Sequence, residues 1–198
     1  MVQAVVRDQP TLLAGLLAMG GDPDAPLFAA GGSLFEAALM ENRPQCARVL
    51  LRFGHSPARC EEASARALLA ASKSGNVQCL ELVVGEAGVD ARQHGYFALA
   101  KATAEGRTEV VEALLRAGAA WCGGDPFKRV ALLLAAAESE CEAVAAEVVR
   151  LGGSGALPQG PQGWQCLQRA ARAGKAGLEL LLRQAMGGAT EAAPAEAS

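Results

Sequence analysis

Aromatic residues make up only 4% of this 198-residue sequence, which excludes a core built around large rings. The 51% apolar content must instead pack through small and aliphatic side chains at close range. Alanine and glycine are abundant, and a core of that kind suits helices. Cationic clusters are missing too: no run of Lys and Arg exceeds a pair, and the formal net charge is −3. Without the footprint of a phosphate-tracking surface, nucleic acid is not an expected partner.

Histidine is confined to His55 and His94, and the six cysteines, at positions 46, 60, 79, 122, 141 and 166, form no Cys-x-x-Cys pair. Zinc-type spacing is therefore excluded, and no cofactor is expected. Thiols scattered among helical patterns fit a reducing compartment, so a cytoplasmic or nuclear location is expected. No apolar run approaches the roughly 18 residues that a bilayer span needs. The opening MVQAVVRDQP lacks a basic-then-apolar leader, so a soluble protein without membrane attachment is expected.

Catalytic patterns are equally thin. The Gly-rich stretches at 123–124 and 152–155 lack the Lys-Ser/Thr of a phosphate-binding loop and read as connectors. Cys60 stands near His55 and Glu61-Glu62, a spacing that invites a thiol nucleophile. No orienting third group or oxyanion motif accompanies it, so Cys60 reads as an exposed free thiol and no enzyme is expected. Cys46 and Cys79 fall in an apolar register and read as small buried hydrophobes.

What the sequence has is repetition. Turn-type residues Asp8, Asn42, Gly75, Gly106, Glu140 and Gly174 recur at intervals of 34, 33, 31, 34 and 34. The aliphatic pairs Leu16-Leu17, Leu50-Leu51, Val83-Val84, Leu114-Leu115, Val148-Val149 and Leu181-Leu182 recur at 34, 33, 31, 34 and 33, reproducing the short step. Four residues before each turn stands an alanine: Ala4, Ala38, Ala71, Ala102, Ala136 and Ala170. Three residues earlier lies a large apolar column, Phe35, Leu68, Leu99, Leu133 and Leu167. Small and large side chains thus alternate at i and i+3 on one helical face, the pattern of closely stacked helices.

Each period reads as a short first helix, a tight turn, a longer second helix and a turn-rich connector. Pro10 and Pro44 suit the first turn of their second helices, and Ser139-x-x-Glu142 has capping-box spacing. Gly20, Gly54, Gly88, Gly118 and Gly152 end the second helices, where a left-handed residue is wanted. Six repeats are expected, at about 1–24, 25–57, 58–91, 92–123, 124–157 and 158–186, followed by a disordered tail at 187–198. The first has only a stub of its first helix and reads as a cap or as the remnant of a longer array.

A period near 33 with Gly106, Val110, Val111, Leu114, Leu115, Gly118 and Ala119 in order resembles the ankyrin repeat family. The resemblance spans about residues 1–186 and implies an all-α solenoid of helix-turn-helix units with short hairpin-like connectors. Tetratricopeptide or HEAT-like arrays are the rival reading, but they suit the short helices and the Gly-terminated second helix less well. Where the family carries Thr-Pro-Leu-His, this chain keeps only the Leu, as in Arg66-Ala67-Leu68-Leu69 and Phe97-Ala98-Leu99-Ala100. The network those residues supply is missing, which leaves stability mainly to apolar stacking.

The resemblance implies a non-catalytic module, an adaptor or scaffold, binding a protein partner through a concave face of connector tips and first helices. The alternative is a structural spacer or regulatory arm of a larger protein. Carried over by position, the tips give Glu62, Gln93, His94, Tyr96, Phe127, Lys128, Gln162 and Trp164. The first-helix positions before each turn give Met40, Glu41, Lys73, Ser74, Glu105, Glu138 and Arg172. Tyr96 and Trp164 are the expected anchors, and the fourth to sixth repeats the expected site. Acidic Glu105 and Glu138 favour a partner with a basic or mixed rim. Trp121 is expected to pack under its connector, and the chain is expected to be a monomer.

Overall fold

The chain folds back on itself at left-handed turns, and these are the turn residues of the repeat. Asp8, Asn42, Gly75 and Gly106 have φ of 53°, 57°, 74° and 66°. The computed structural model describes residues 1–25, 27, 32–119, 126–139 and 142–152, with single helical positions at 168, 172, 177, 179, 180 and 183. It divides into two compact bodies, Met1–Cys122 and Gly123–Ser198.

The first body contains α1 (Val2–Val6), α2 (Pro10–Ala18), α3 (Leu34–Met40), α4 (Pro44–Arg52), α5 (Glu61–Ser74), α6 (Val77–Glu81), α7 (Ala91–His94), α8 (Tyr96–Ala104) and α9 (Thr108–Arg116). No strand occurs among the described residues. The first helices α1, α3, α5 and α8 pack in one row, each on the next, and the second helices α2, α4, α6 and α9 form a parallel row behind it. Pro10 and Pro44 open α2 and α4, where the missing N–H costs nothing.

The two columns of the repeat make the core. Ala4, Ala38, Ala71 and Ala102 are at most 2% exposed, and Phe35, Leu68 and Leu99 are fully buried. A fully buried leucine contributes about 1.5–3 kcal/mol through apolar transfer alone. Leu50, Val83 and Leu114 of the second helices close the core from behind.

Local structure departs from the sequence expectation at three places. The connectors at Pro57–Arg59 and Ala91–His94 are helical turns, not hairpin-like fingers. Second, α6 gives way after one turn to a wider π turn over Leu82–Glu86, where the Ala87 N–H bonds to the Leu82 carbonyl at 2.9 Å. Val83, Val84 and Gly85 lie there, two β-branched residues and a glycine that resist regular α geometry. Third, the expected capping box at Ser139 does not form: Ser139 ends α10 and donates its hydroxyl to the Ala135 carbonyl at 2.7 Å. The side-chain caps found are Ser33, Asn76 and Asp90, which accept from the backbone N–H groups of Glu36, Gln78 and Arg92.

Polar links also tie successive turns together. The residue after each later turn reaches back to the turn before it: Arg43 to Asp8 at 3.9 Å, and Asn76 Nδ2 to Asn42 Oδ1 at 2.5 Å. Arg107 donates to the carbonyls of Ser72 and Lys73 at the end of α5. Buried Cys46 and Cys79 point their thiols at Asp8 (3.7 Å) and Asn42 (3.8 Å). This ladder of turn side chains provides polar cross-links between repeats that lack the Thr-Pro-Leu-His residues.

The second body contains α10 (Pro126–Ser139) packed on α11 (Glu142–Gly152). Leu132, Leu133 and Ala136 of α10 and Val144, Ala145 and Val148 of α11 are buried, among them Leu133 and Ala136 at the column positions of this repeat.

Candidate functional site

The first-helix row presents a regular face. Counting back from each turn by nine, six and two residues gives Ser33, Glu36 and Met40 on α3 and its cap, Arg66, Leu69 and Lys73 on α5, and Phe97, Ala100 and Ala104 on α8. Spacings of three and four residues place each trio on one side of its helix. None of the nine is buried, and two are large apolar side chains in the open, Met40 at 55% and Phe97 at 65% exposure. A shallow hollow of about 150 Å³ lies between α3 and α5, lined by Glu36, Met40, Arg66, Leu69, Ala70 and Lys73.

The charges on this face largely cancel within it. Arg66 Nε donates to Glu36 Oε1 at 3.0 Å, and its Nη1 lies 3.9 Å from the carboxylate of exposed Glu62. Glu105 meets Lys101 Nζ at 2.9 Å and Arg107 Nε at 2.8 Å. The hydrogen bond from Lys101, supported by the charge of Arg107, holds the Glu105 carboxyl below the usual carboxylate range. Glu105 is thus already compensated, and the basic rim expected of a partner loses that support. Lys73 is exposed and forms no ion pair of its own among the described residues. Glu41 is exposed, while Ser74 is half-buried and donates its hydroxyl to the Ala71 carbonyl at 2.7 Å.

The exposed ring lies one residue beyond Tyr96, the expected anchor. Tyr96 is half-buried, its ring set edge-on to Phe97 with centroids 5.1 Å apart, and Phe97 is the exposed ring. The cause lies in Gly95. Asp90 caps α7, whose end passes through buried Gly95 straight into α8, so Tyr96 starts a helix where an extended tip was expected. A methyl group on Gly95 would strike the Ala91 carbonyl and the Ala119 side chain. Gln93 remains exposed and His94 half-buried on that one-turn helix. No repeat position could reveal Phe97, because it occupies the first place of the degenerate Thr-Pro-Leu-His tetrad.

In the second body Lys128 and Arg172 are exposed helical positions. Phe127 and Glu138 lie on α10, but their side chains, like Gln162, Trp164 and Trp121, fall outside the described residues.

The thiol reading of Cys60 meets a different geometry. Cys60 is exposed and free at the start of α5, whereas His55 is buried, with Nδ1 2.5 Å from Asp24 Oδ1 and its ring 4.9 Å from that of Phe35. His55 therefore joins the connectors of the first and second repeats. Among the described residues no three His, Cys, Asp or Glu side chains gather as metal ligands, and no helix is long and apolar enough to cross a membrane.

The second-helix row carries two larger hollows. One, of about 370 Å³, lies between α4 and the α6 segment and is crossed by Arg48, whose guanidinium grips Glu86 at 2.6–3.0 Å. The other, of about 320 Å³, lies between the α6 segment and α9, beside Val84, Gly85 and Ala113.

No curated protein matches the chain. Ankyrin repeats, in three copies, match residues 34–125, the segment that holds α3 to α9. Paired helices joined by left-handed turns, stacked in two rows with an alanine column between them, account for that match: residues 34–125 form an array of ankyrin repeats.

Proposed function

We propose that the chain is a non-catalytic adaptor that binds a protein partner through the first-helix face of α3, α5 and α8. Ankyrin repeats are in general protein–protein interaction modules, and the array here lies within the matched residues. One observation carries the choice of face: Met40 and Phe97 stand open at opposite corners of the nine-residue grid, in a sequence with 4% aromatics. Large side chains with few rotors make anchors at low entropic cost, and Lys73 between them supplies a cation not consumed by the fold. The hollows behind offer less, since Arg48 and Glu86 already satisfy each other across the larger one.

On this reading Gln93, Glu105 and Glu62 form a polar rim around the anchors. Lys128 and Arg172 belong to the second body. Free thiols at Cys46, Cys60 and Cys79 fit a cytoplasmic or nuclear setting.

Affinity capture from lysate with the full chain, the Phe97→Ala and Met40→Ala variants, and Glu112→Ala on exposed α9 tests the proposal. Partners captured by the wild type and by Glu112→Ala should be lost from both face variants at unchanged melting temperature. Full retention by the face variants sinks the assignment of the face.

A further inference from the structure

The third repeat holds one residue more than its neighbours between its turn and the glycine that stops its second helix. Asp8 and Gly20, Asn42 and Gly54, and Gly106 and Gly118 are left-handed pairs twelve residues apart, whereas Gly75 and Gly88 are thirteen apart. The closing hydrogen bond is nevertheless the same in all four. The amide after the stop donates to the carbonyl eight places after the turn: Gly21 to Leu16, His55 to Leu50 and Ala119 to Leu114 at 3.0–3.1 Å, each across five residues, and Val89 to Val83 at 3.1 Å across six. The excess residue therefore lies between Val83 and Val89, and the π turn over Leu82–Glu86 is the form in which it is stored.

Burial explains the place of storage. Val83 and Val89 are 0% and 2% exposed, so both ends of the segment are fixed in the core, while Gly85 and Glu86 between them are exposed. An extra residue is taken up on the solvent side without moving either end. One contact then fastens the result. After the π turn Glu86 stands two residues before the stop, the place of Arg52 and Arg116, and from there its carboxylate meets Arg48 of α4 at 2.6–3.0 Å. Arg52 adds a second favourable charge, and Glu81 is the other carboxylate lining the same hollow. In an unbroken α-helix Glu86 would be carried about 100° further round the axis, away from Arg48.

We propose that this segment is a slip joint with two registers: the π register, held by Arg48, and an α register in which the excess residue passes into the link before α7. The π turn forfeits regular α hydrogen bonds, and its fastening is an ion pair whose side chains are 36% and 44% exposed, so that salt screens it. Two arrangements so balanced interconvert readily. Single π turns within α-helices recur at functional sites, and this one has an outlet. The link from Gly88 to Asp90 leads through α7 and Gly95 to exposed Phe97. A slip reaches the α8 face by that route, a consequence that rests on the function proposed for that face.

Hydrogen exchange of the full chain, read by mass spectrometry, tests the joint without any partner. Amides of residues 84–88 are expected to exchange about tenfold or more faster than their counterparts in α9. Arg48→Gln should speed the same amides about two- to fivefold further and leave α9 unchanged. Salt raised to about 0.5 M should act in the same direction. Deletion of Gly85 gives the third repeat the spacing of the others, so it should raise the melting temperature and slow residues 84–88 to the rate of α9. A deletion variant that melts below the wild type, or a wild-type segment that exchanges no faster than α9, overturns the proposal. Exchange indifferent to both Arg48→Gln and salt overturns the fastening by Arg48. Failure of the partner-binding face would leave all these rates as they are.

Discussion

The turns at Asp8, Asn42, Gly75 and Gly106 adopt the same left-handed backbone, yet the first two and Gly75 join their neighbours by opposite means. At the first two, the turn side chain is the acceptor: Asp8 meets Arg43 and Cys46, and Asn42 meets Asn76 and Cys79. Asp and Asn tolerate positive φ better than most residues, and the links they accept offset what strain remains. At Gly75 the side chain has been removed instead. A Cβ there would come within 2.9 Å of the Arg107 guanidinium, which occupies that space to reach the Ser72 and Lys73 carbonyls. The turn residues Asp8, Asn42 and Gly75 therefore carry two meanings: an acceptor offered, or a helix end uncovered.

Apolar packing sets the scale against which these links are measured. Leu99→Ala empties a fully buried column position between the two glycine turns and should cost about 2–5 kcal/mol in chemical denaturation. A loss below about 1 kcal/mol would mean that the turns, not the columns, hold the array. Gly75→Ala should come next, at about 1–3 kcal/mol, since it combines backbone strain with displacement of Arg107. Alanine in place of Gly106, where nothing lies within 4 Å of the added carbon, should cost less, namely the strain alone. Equal effects at the two glycines would contradict a spatial role for Gly75.

The acceptor turns differ in their dependence on pH. Burial, then the Asp8 carboxylate, pushes the Cys46 thiol up to about 11, and burial also raises Cys79. A raised thiol pKa means that the folded state holds the proton more tightly, so stability is intact below about 9 and is lost as pH rises toward 11. Cys46→Ala should flatten that alkaline loss relative to the wild type, whatever the other groups contribute; superimposable pH profiles would refute it. The smallest effect belongs to Asn42→Gly, which gives up two links but relieves positive φ. Its melting temperature should lie within a few degrees of the wild type, as expected for a change of about 1 kcal/mol or less.

Most of the fold was legible because repetition multiplies weak signals. One alanine before a turn says little, but Ala4, Ala38, Ala71 and Ala102 in register mark the buried contact between helices. The turns at Asp8 and Asn42 were legible for the same reason, though not their left-handed backbone, which neither residue alone demands. What escaped notice depends on single residues. Helix α7 is closed by Gly95, and that glycine decides that Phe97 and not Tyr96 faces out. The working cap at Ser33-x-x-Glu36 had the same spacing as the one read at Ser139, and only the structure separates them. In Arg43, Asn76 and Arg107 the side chains differ while the reach is shared, so no column of identities betrays the ladder.

Every rung of that ladder points backward: a side chain following one turn completes the turn made about 34 residues earlier. Synthesis from the N-terminus therefore always leaves the newest repeat unfinished. The last turn of α5 lacks its carbonyl partner until Arg107 has left the ribosome, well after α5 itself has emerged. An array that ordered during synthesis would thus run one repeat behind translation, each repeat closed by residues that belong to the one after it.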